Sequence, residues 1–150
     1  MTNIQYDLFI NAFLQKISEF DFLTLDEEDR NEIVEGYMHR AIGEFSYVCS
    51  YDLVSTRNDE LREFEVEIPD RILLEIINIV TEGMLVQWMK PYMYNQELLQ
   101  NVLNTRDYTT YSPSELLYRV TEAYKESQQN FTRMIREYSY RHGDLTVLHL

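Results

Sequence analysis

Two side chains of metal-ligand type stand one helical turn apart in this chain. Glu35 and His39 are separated by four residues and share a face wherever the segment is helical. A carboxylate and an imidazole at that spacing can hold part of a divalent ion, but a zinc centre needs three or four protein donors, and no other histidine lies near in sequence. The pair therefore reads first as a surface Glu–His contact. Cys49 is the single cysteine, so no intrachain disulfide and no cysteine-rich zinc site can form. Nothing beside it lowers its pKa, and it reads as an idle or buried thiol. Met84, Trp88, Met89 and Met93 recur at helical spacing and read as core packing rather than as a cofactor box. The chain has no Gly-rich phosphate loop, no nucleophile elbow and no HExxH sequence. Carboxylates are too numerous for spacing to select a catalytic pair. The residues point to binding, with no catalysis, no cofactor and no metal.

The elements that carry these residues follow from composition and pattern. A chain of 150 residues with 45% hydrophobic content and 12 tyrosines is expected to fold as one domain, residues 1–143, followed by an apolar tail, residues 144–150. Its formal charge of -13 works against adsorption to nucleic acid or anionic lipid. That charge leaves a solvated surface, a basic protein partner, mimicry of a nucleic acid, or the wall of a passage that must not hold DNA. The N-terminal residues have no basic region followed by an apolar stretch, so no signal peptide and no membrane anchor is expected, and the chain reads as soluble and intracellular.

Residues 70–93 form the most apolar long run. Ile72, Leu73, Ile76, Ile77, Val80, Met84, Leu85 and Trp88 keep a helical period, and Leu74 and Ile79 widen the stripe, which predicts a central core helix covered on most of its circumference. Pro69 and Asp70 suit its first turn, and Pro91 predicts a stop or kink near Met89. Glu75, Glu82 and Lys90 make it read as too short and too interrupted to span a bilayer.

A first helix is predicted over residues 4–18 on Ile4, Leu8, Phe9, Phe13, Leu14 and Ile17, and Phe20 or Phe22 is expected to tuck into the core. Thr24 and Glu27 have capping-box spacing and predict a second helix from 24 to 45 on Ile33, Val34, Tyr37, Met38, Ala41, Ile42 and Phe45. Between 46 and 67 the period is lost. Strands over 47–54 and 63–68 are expected to pair as a hairpin, with Arg57, Asn58 and Asp59 as a turn. A short helix is expected over 96–103 and a loop over 104–111. Ser112, Pro113 and Glu115 then open a long helix to Tyr140, on a seam of Leu117, Val120, Tyr124, Ser127, Phe131, Met134 and Tyr138, closed by His142 and Gly143. The fold class is mainly α: a helical bundle around the central helix (about 70–90) and a long C-terminal helix (about 113–140), with a small β-hairpin within 47–68. In the tail, Leu145, Val147, Leu148 and Leu150 require a cover, because leaving each in water forgoes roughly 1.5–3 kcal/mol. Either this domain or a partner supplies it.

The run IPDRILLEIINIVTEGMLVQWMKPYMYNQELLQNVLNTRDYTTYSPSELL, with its Gly83, Met84, Trp88, Lys90, Pro91 cluster, and the helix end IREYSYRHGDL, with Tyr138, Ser139 and Tyr140, resemble small neck proteins of tailed bacteriophages, the head–tail connectors or adaptors. The likeness covers roughly the last two-thirds of the chain and contains no catalytic signature. It implies a mainly helical structural protein that forms a homo-oligomeric ring beneath the portal protein, meets a tail-side neck protein, and resides in the virion neck after assembly from the host cytoplasm. On that resemblance the tail residues Leu145, Val147, Leu148 and Leu150 dock on the portal, and an acidic lumen lets DNA pass without specific binding and without a membrane. Closed rings use heterologous contacts, which makes Phe64, Val66, Ile68, Tyr138 and Tyr140 the ring-interface candidates. Two rivals remain: an acidic inhibitor that mimics DNA and captures a basic enzyme, and a small helical enzyme with dispersed acidic residues.

Overall fold

The computed structural model describes residues 3–18, 30–94 and 112–142. Among them are four helices, α1 (Tyr6–Ile17), α2 (Arg30–Phe45), α3 (Asp70–Tyr94) and α4 (Pro113–His142), and three two-residue strands, β1 (Ile4–Gln5), β2 (Arg57–Asn58) and β3 (Glu63–Phe64). The chain is mainly helical, with a long C-terminal helix. The helix 96–103, the loop 104–111, the Thr24 cap, Phe20, Phe22, the Gly143 cap and the tail fall outside the described residues.

Helices α1, α2 and α4 all pack on α3. From Ile79 to Met89 every α3 residue except Glu82 is buried, as the breadth of its apolar stripe requires. By length and composition alone this helix is long and apolar enough to cross a membrane, which corrects the reading that it is too short and too interrupted. Its apolar surface is taken up by the other three helices instead. Leu74 is the exception in the stripe and is exposed. Gly83 marks the crossing of three helices: a Cβ there would lie 2.7 Å from the Phe131 ring of α4 and 2.8 Å from Ala41 Cβ of α2.

The ends of α3 differ from expectation. Pro69 precedes the helix, and its carbonyl accepts the first hydrogen bond, from the Leu73 N–H at 2.9 Å. Pro91 does not stop the helix near Met89; α3 continues to Tyr94. Within the last turn a proline forfeits one backbone hydrogen bond, and the packed segment before it holds the helix direction.

The start of α4 is a complete capping box. Ser112 Oγ accepts from the Glu115 N–H at 3.2 Å, and Glu115 Oε2 accepts from the Ser112 N–H at 3.4 Å. Ser112→Ala is expected to cost about 1 kcal/mol, read as a lower urea midpoint at unchanged slope. The buried seam runs Leu116, Val120, Tyr124, Ser127, Phe131 and Tyr138, so it begins one residue earlier than predicted. Leu117 is exposed and Met134 is half-buried.

The strands form one antiparallel sheet in the order β1-β3-β2, with Ile4 opposite Phe64 and Arg57 opposite Phe64 on the other side. The first helix therefore starts at Tyr6, because Ile4 and Gln5 are drawn into the sheet and the Tyr6 N–H bonds the Arg62 carbonyl at 3.0 Å. A hairpin exists within 47–68, but its first strand is Arg57–Asn58, which the sequence marked as a turn. Residues 46–49 instead unwind the end of α2, with the Val48 and Cys49 N–H groups bonded to the Phe45 carbonyl. Asp52 then holds the Val54 and Ser55 N–H groups, and this local side-chain bonding competes with strand pairing. After β3 the expected alternation holds, with Phe64 and Ile68 buried and Val66 half-buried, while Glu65 and Glu67 face outward.

Candidate functional site

The densest group of chemical side chains lies where the sheet meets α1 and α2. Tyr6 is fully buried, and its hydroxyl donates to Asp59 Oδ1 at 2.7 Å. Arg57 donates to the other oxygen, Oδ2, at 3.0 Å. His39 Nε2 lies 3.5 Å from Asp59 Oδ1 without forming a hydrogen bond, and its ring meets Tyr6 edge-on at 5.3 Å. Arg62 holds two helices at once, through Asp7 of α1 at 3.1 Å and Glu35 of α2 at 2.5 Å. It does so from a left-handed backbone, φ 54°, at the end of the hairpin loop.

The electrostatics of this group describe a lock. Burial, then the Asp59 hydrogen bond, pushes the Tyr6 hydroxyl far above its ordinary pKa, so it stays protonated and donates. The Arg57 hydrogen bond, then that from Tyr6, holds Asp59 below the usual carboxylate range. Burial, then Arg57, pushes His39 below its ordinary value of 6.5. The folded state therefore binds fewer protons at His39 than the unfolded state does. The stabilisation from neutral His39 is complete above pH 6.5 and is lost as pH falls below it. His39→Gln should flatten the dependence of unfolding free energy on pH just below 6.5, measured as the difference between the two proteins. An unchanged profile would show that His39 titrates as it does in water.

Glu35 and His39 do not converge on an ion. Glu35 is taken by Arg62 and His39 turns toward Asp59, and among the described residues no group of three or more His, Cys, Asp or Glu could hold a metal.

A second polar clamp fixes the end of α4. Glu75 of α3 accepts from Arg141 and from His142 Nε2, the latter at 2.8 Å. Burial raises the Glu75 pKa, but the Arg141 and His142 hydrogen bonds more than offset this and leave it below the ordinary carboxylate value. Tyr138 is fully buried, its ring against Phe45 at 4.9 Å and its hydroxyl accepting from the Ser50 N–H at 3.2 Å. Cys49 lies beside that hydroxyl, and burial pushes its thiol pKa up, away from reactivity.

The ring-interface candidates separate by burial. Phe64 and Tyr138 are spent in the core of this chain and leave no side chain for a neighbour; Ile68 is buried but borders a surface cleft, Val66 is half-buried, and Tyr140 is exposed. The tail residues Leu145, Val147, Leu148 and Leu150 lie outside the described residues. A cleft of 710 Å³ had no signal in the sequence, because three separate segments build it: Ile4 and Leu8 from the start of the chain, Tyr51 after α2, and the stretch from Glu67 to Leu73 that opens α3. Glu67 and Asp70 stand on its walls. Leu8, expected in the core, is partly exposed in this cleft.

Compared with known proteins, the chain has no matching family model, no matching curated protein and no matching solved structure, so the likeness to neck proteins stands on its residues alone.

Proposed function

We propose that this chain is a structural assembly protein that works by binding, and specifically an adaptor of a tailed-virus neck that adds as a ring to a portal and joins head to tail. The observation that carries the reading is the anchoring of α4. Its last turn is tied to α3 through Glu75 and to the residue 50 backbone through Tyr138, so the helix end at His142 is held in place. An apolar segment leaving a rigid helix end is suited to docking on another chain, with little ordering cost at its root. The group at Tyr6, His39, Asp59 and Arg57 adds support, since its hydrogen bonds join the hairpin to the helices and are already committed to folding. The net charge of -13 suits a passage that DNA crosses without sticking. In this reading the partners are the portal and a tail-side neck protein, no cofactor is used, and the protein waits in the host cytoplasm before entering the virion.

The test is to mix the purified protein with the portal of the same virus and image the complex by electron microscopy. A ring added to the portal is expected. Removal of residues 144–150 should abolish attachment while leaving the circular dichroism unchanged; retained attachment would end the docking role of the tail. If nothing adds to the portal and the protein instead retains a basic enzyme in a salt-sensitive way, the DNA-mimic reading replaces this one.

A further inference from the structure

We infer that copies of this chain associate head to tail, the outer face at the end of α4 of one copy seating on the cleft at the start of α3 of the next. The inference rests on the assembly reading above and names the surfaces that would serve it.

The donor face is a short ridge. At 100° per residue, Gln129, Arg133, Arg136 and Tyr140 fall within about 60° of one another around α4, and all four are exposed. Tyr140 is 65% exposed, an aromatic ring at the end of a row of guanidinium groups. Arginine and tyrosine are the residue types that anchor protein interfaces, each offering a flat apolar surface with a polar tip. Among the described residues, three other arginines are already held, Arg57 by Asp59, Arg62 by Asp7 and Glu35, and Arg141 by Glu75. Arg133 has a neighbour in Glu137 at 3.8 Å, an exposed pair that a better-desolvated partner can displace.

The acceptor is the 710 Å³ cleft, with Ile4, Leu8, Ile68 and Leu73 for an aromatic ring and the carboxylates of Glu67 and Asp70 for guanidinium groups. Apolar floor and acidic wall thus match aromatic tip and basic ridge in kind.

The two patches do not meet within one copy. Leu73 lines the cleft and Glu75 binds the end of α4, and two residues apart on a helix they point roughly 160° from each other. The cleft and α4 therefore lie on opposite sides of α3. A patch that meets a different patch facing away from it is a heterologous contact, which closes into a ring or extends as a filament.

The test uses the full chain with Cys49→Ser, so that introduced thiols are the only ones present. Leu8→Cys and Tyr140→Cys together should give a ladder of disulfide-linked oligomers under mild oxidation. The two single variants mixed should give their heterodimer. Arg133→Glu with Arg136→Glu should weaken self-association about tenfold by sedimentation velocity. Mixing that variant with Glu67→Lys, Asp70→Lys should restore association, which also shows that both variants are folded. No ladder, or a ladder indifferent to the charge reversals, overturns the contact. The outcome separates from that of the neck reading. A ring on the portal without the 8–140 cross-link removes this contact and leaves the adaptor. The cross-link without portal binding keeps the contact and removes the adaptor.

Discussion

Gly83→Ala should lower the stability of this protein by about 1–3 kcal/mol, although alanine is the better helix former by about 1 kcal/mol. The new methyl group would sit 2.7 Å from two atoms of the Phe131 ring and 2.8 Å from Ala41 Cβ, well inside the 3.5–4.0 Å separation at which carbon atoms attract. Neither neighbour has an easy way out. Phe131 is buried, and Ala41 Cβ is fixed to the α2 backbone, so relief requires the helices to move apart along a tightly packed crossing. Gly43→Ala is the matched comparison, because it also lies in a helix but a Cβ there meets nothing within 4 Å. It should be neutral or stabilising by up to about 1 kcal/mol. Urea unfolding of both variants gives the answer, and a Gly83→Ala protein as stable as the parent would mean that α2, α3 and α4 are not in such close contact.

Phe64→Ala should be more damaging, by about 3–5 kcal/mol, which corresponds to a melting temperature lower by roughly 6–20 °C. Phe64 is the middle residue of the sheet, paired with Ile4 on one side and Arg57 on the other. Its fully buried ring packs against Tyr6 at 4.8 Å and Phe9 at 5.7 Å. Truncation would open a cavity beneath the Tyr6–Asp59–Arg57 lock and loosen the hairpin together with α1. The same variant separates two roles for this residue. A core residue destabilises the monomer when removed, whereas an interface residue leaves the melting temperature in place and weakens assembly. An unchanged melting temperature would return Phe64 to the interface.

The burial of Phe64 shows where local pattern stops being informative. Alternation in 63–68 correctly assigned Phe64 and Ile68 to one face of an extended segment, but alternation does not say whether that face meets the chain's own core or a neighbour. The decision came from residues sixty positions away: Ile4 and Gln5 pair with β3, and Tyr6 closes over Phe64. Arg57 and Asn58 were misread for a related reason. Their polar, turn-like composition is tolerated in an edge strand, where half the backbone pairs and the side chains reach Asp59 and Glu65. Tyr47 and Val48 have strand-forming side chains, yet they sit where α2 must terminate, and the free carbonyls of its last turn claim the following N–H groups.

Cap chemistry and apolar period by themselves determined the mainly helical class, the central helix, the Ser112–Glu115 start of α4 and most of the buried face of each helix, with Leu8, Leu74 and Leu117 as exceptions, because these depend on neighbours within one or two turns. Only the tertiary structure decided that Glu35 and His39 serve Arg62 and Asp59 rather than each other, that Tyr138 is core while Tyr140 is surface, and that Leu8 and Leu73 share a cleft. Each of those outcomes depends on segments distant in sequence meeting in space, and the free energy of such contacts is set by their three-dimensional partners rather than by the residues beside them in the chain.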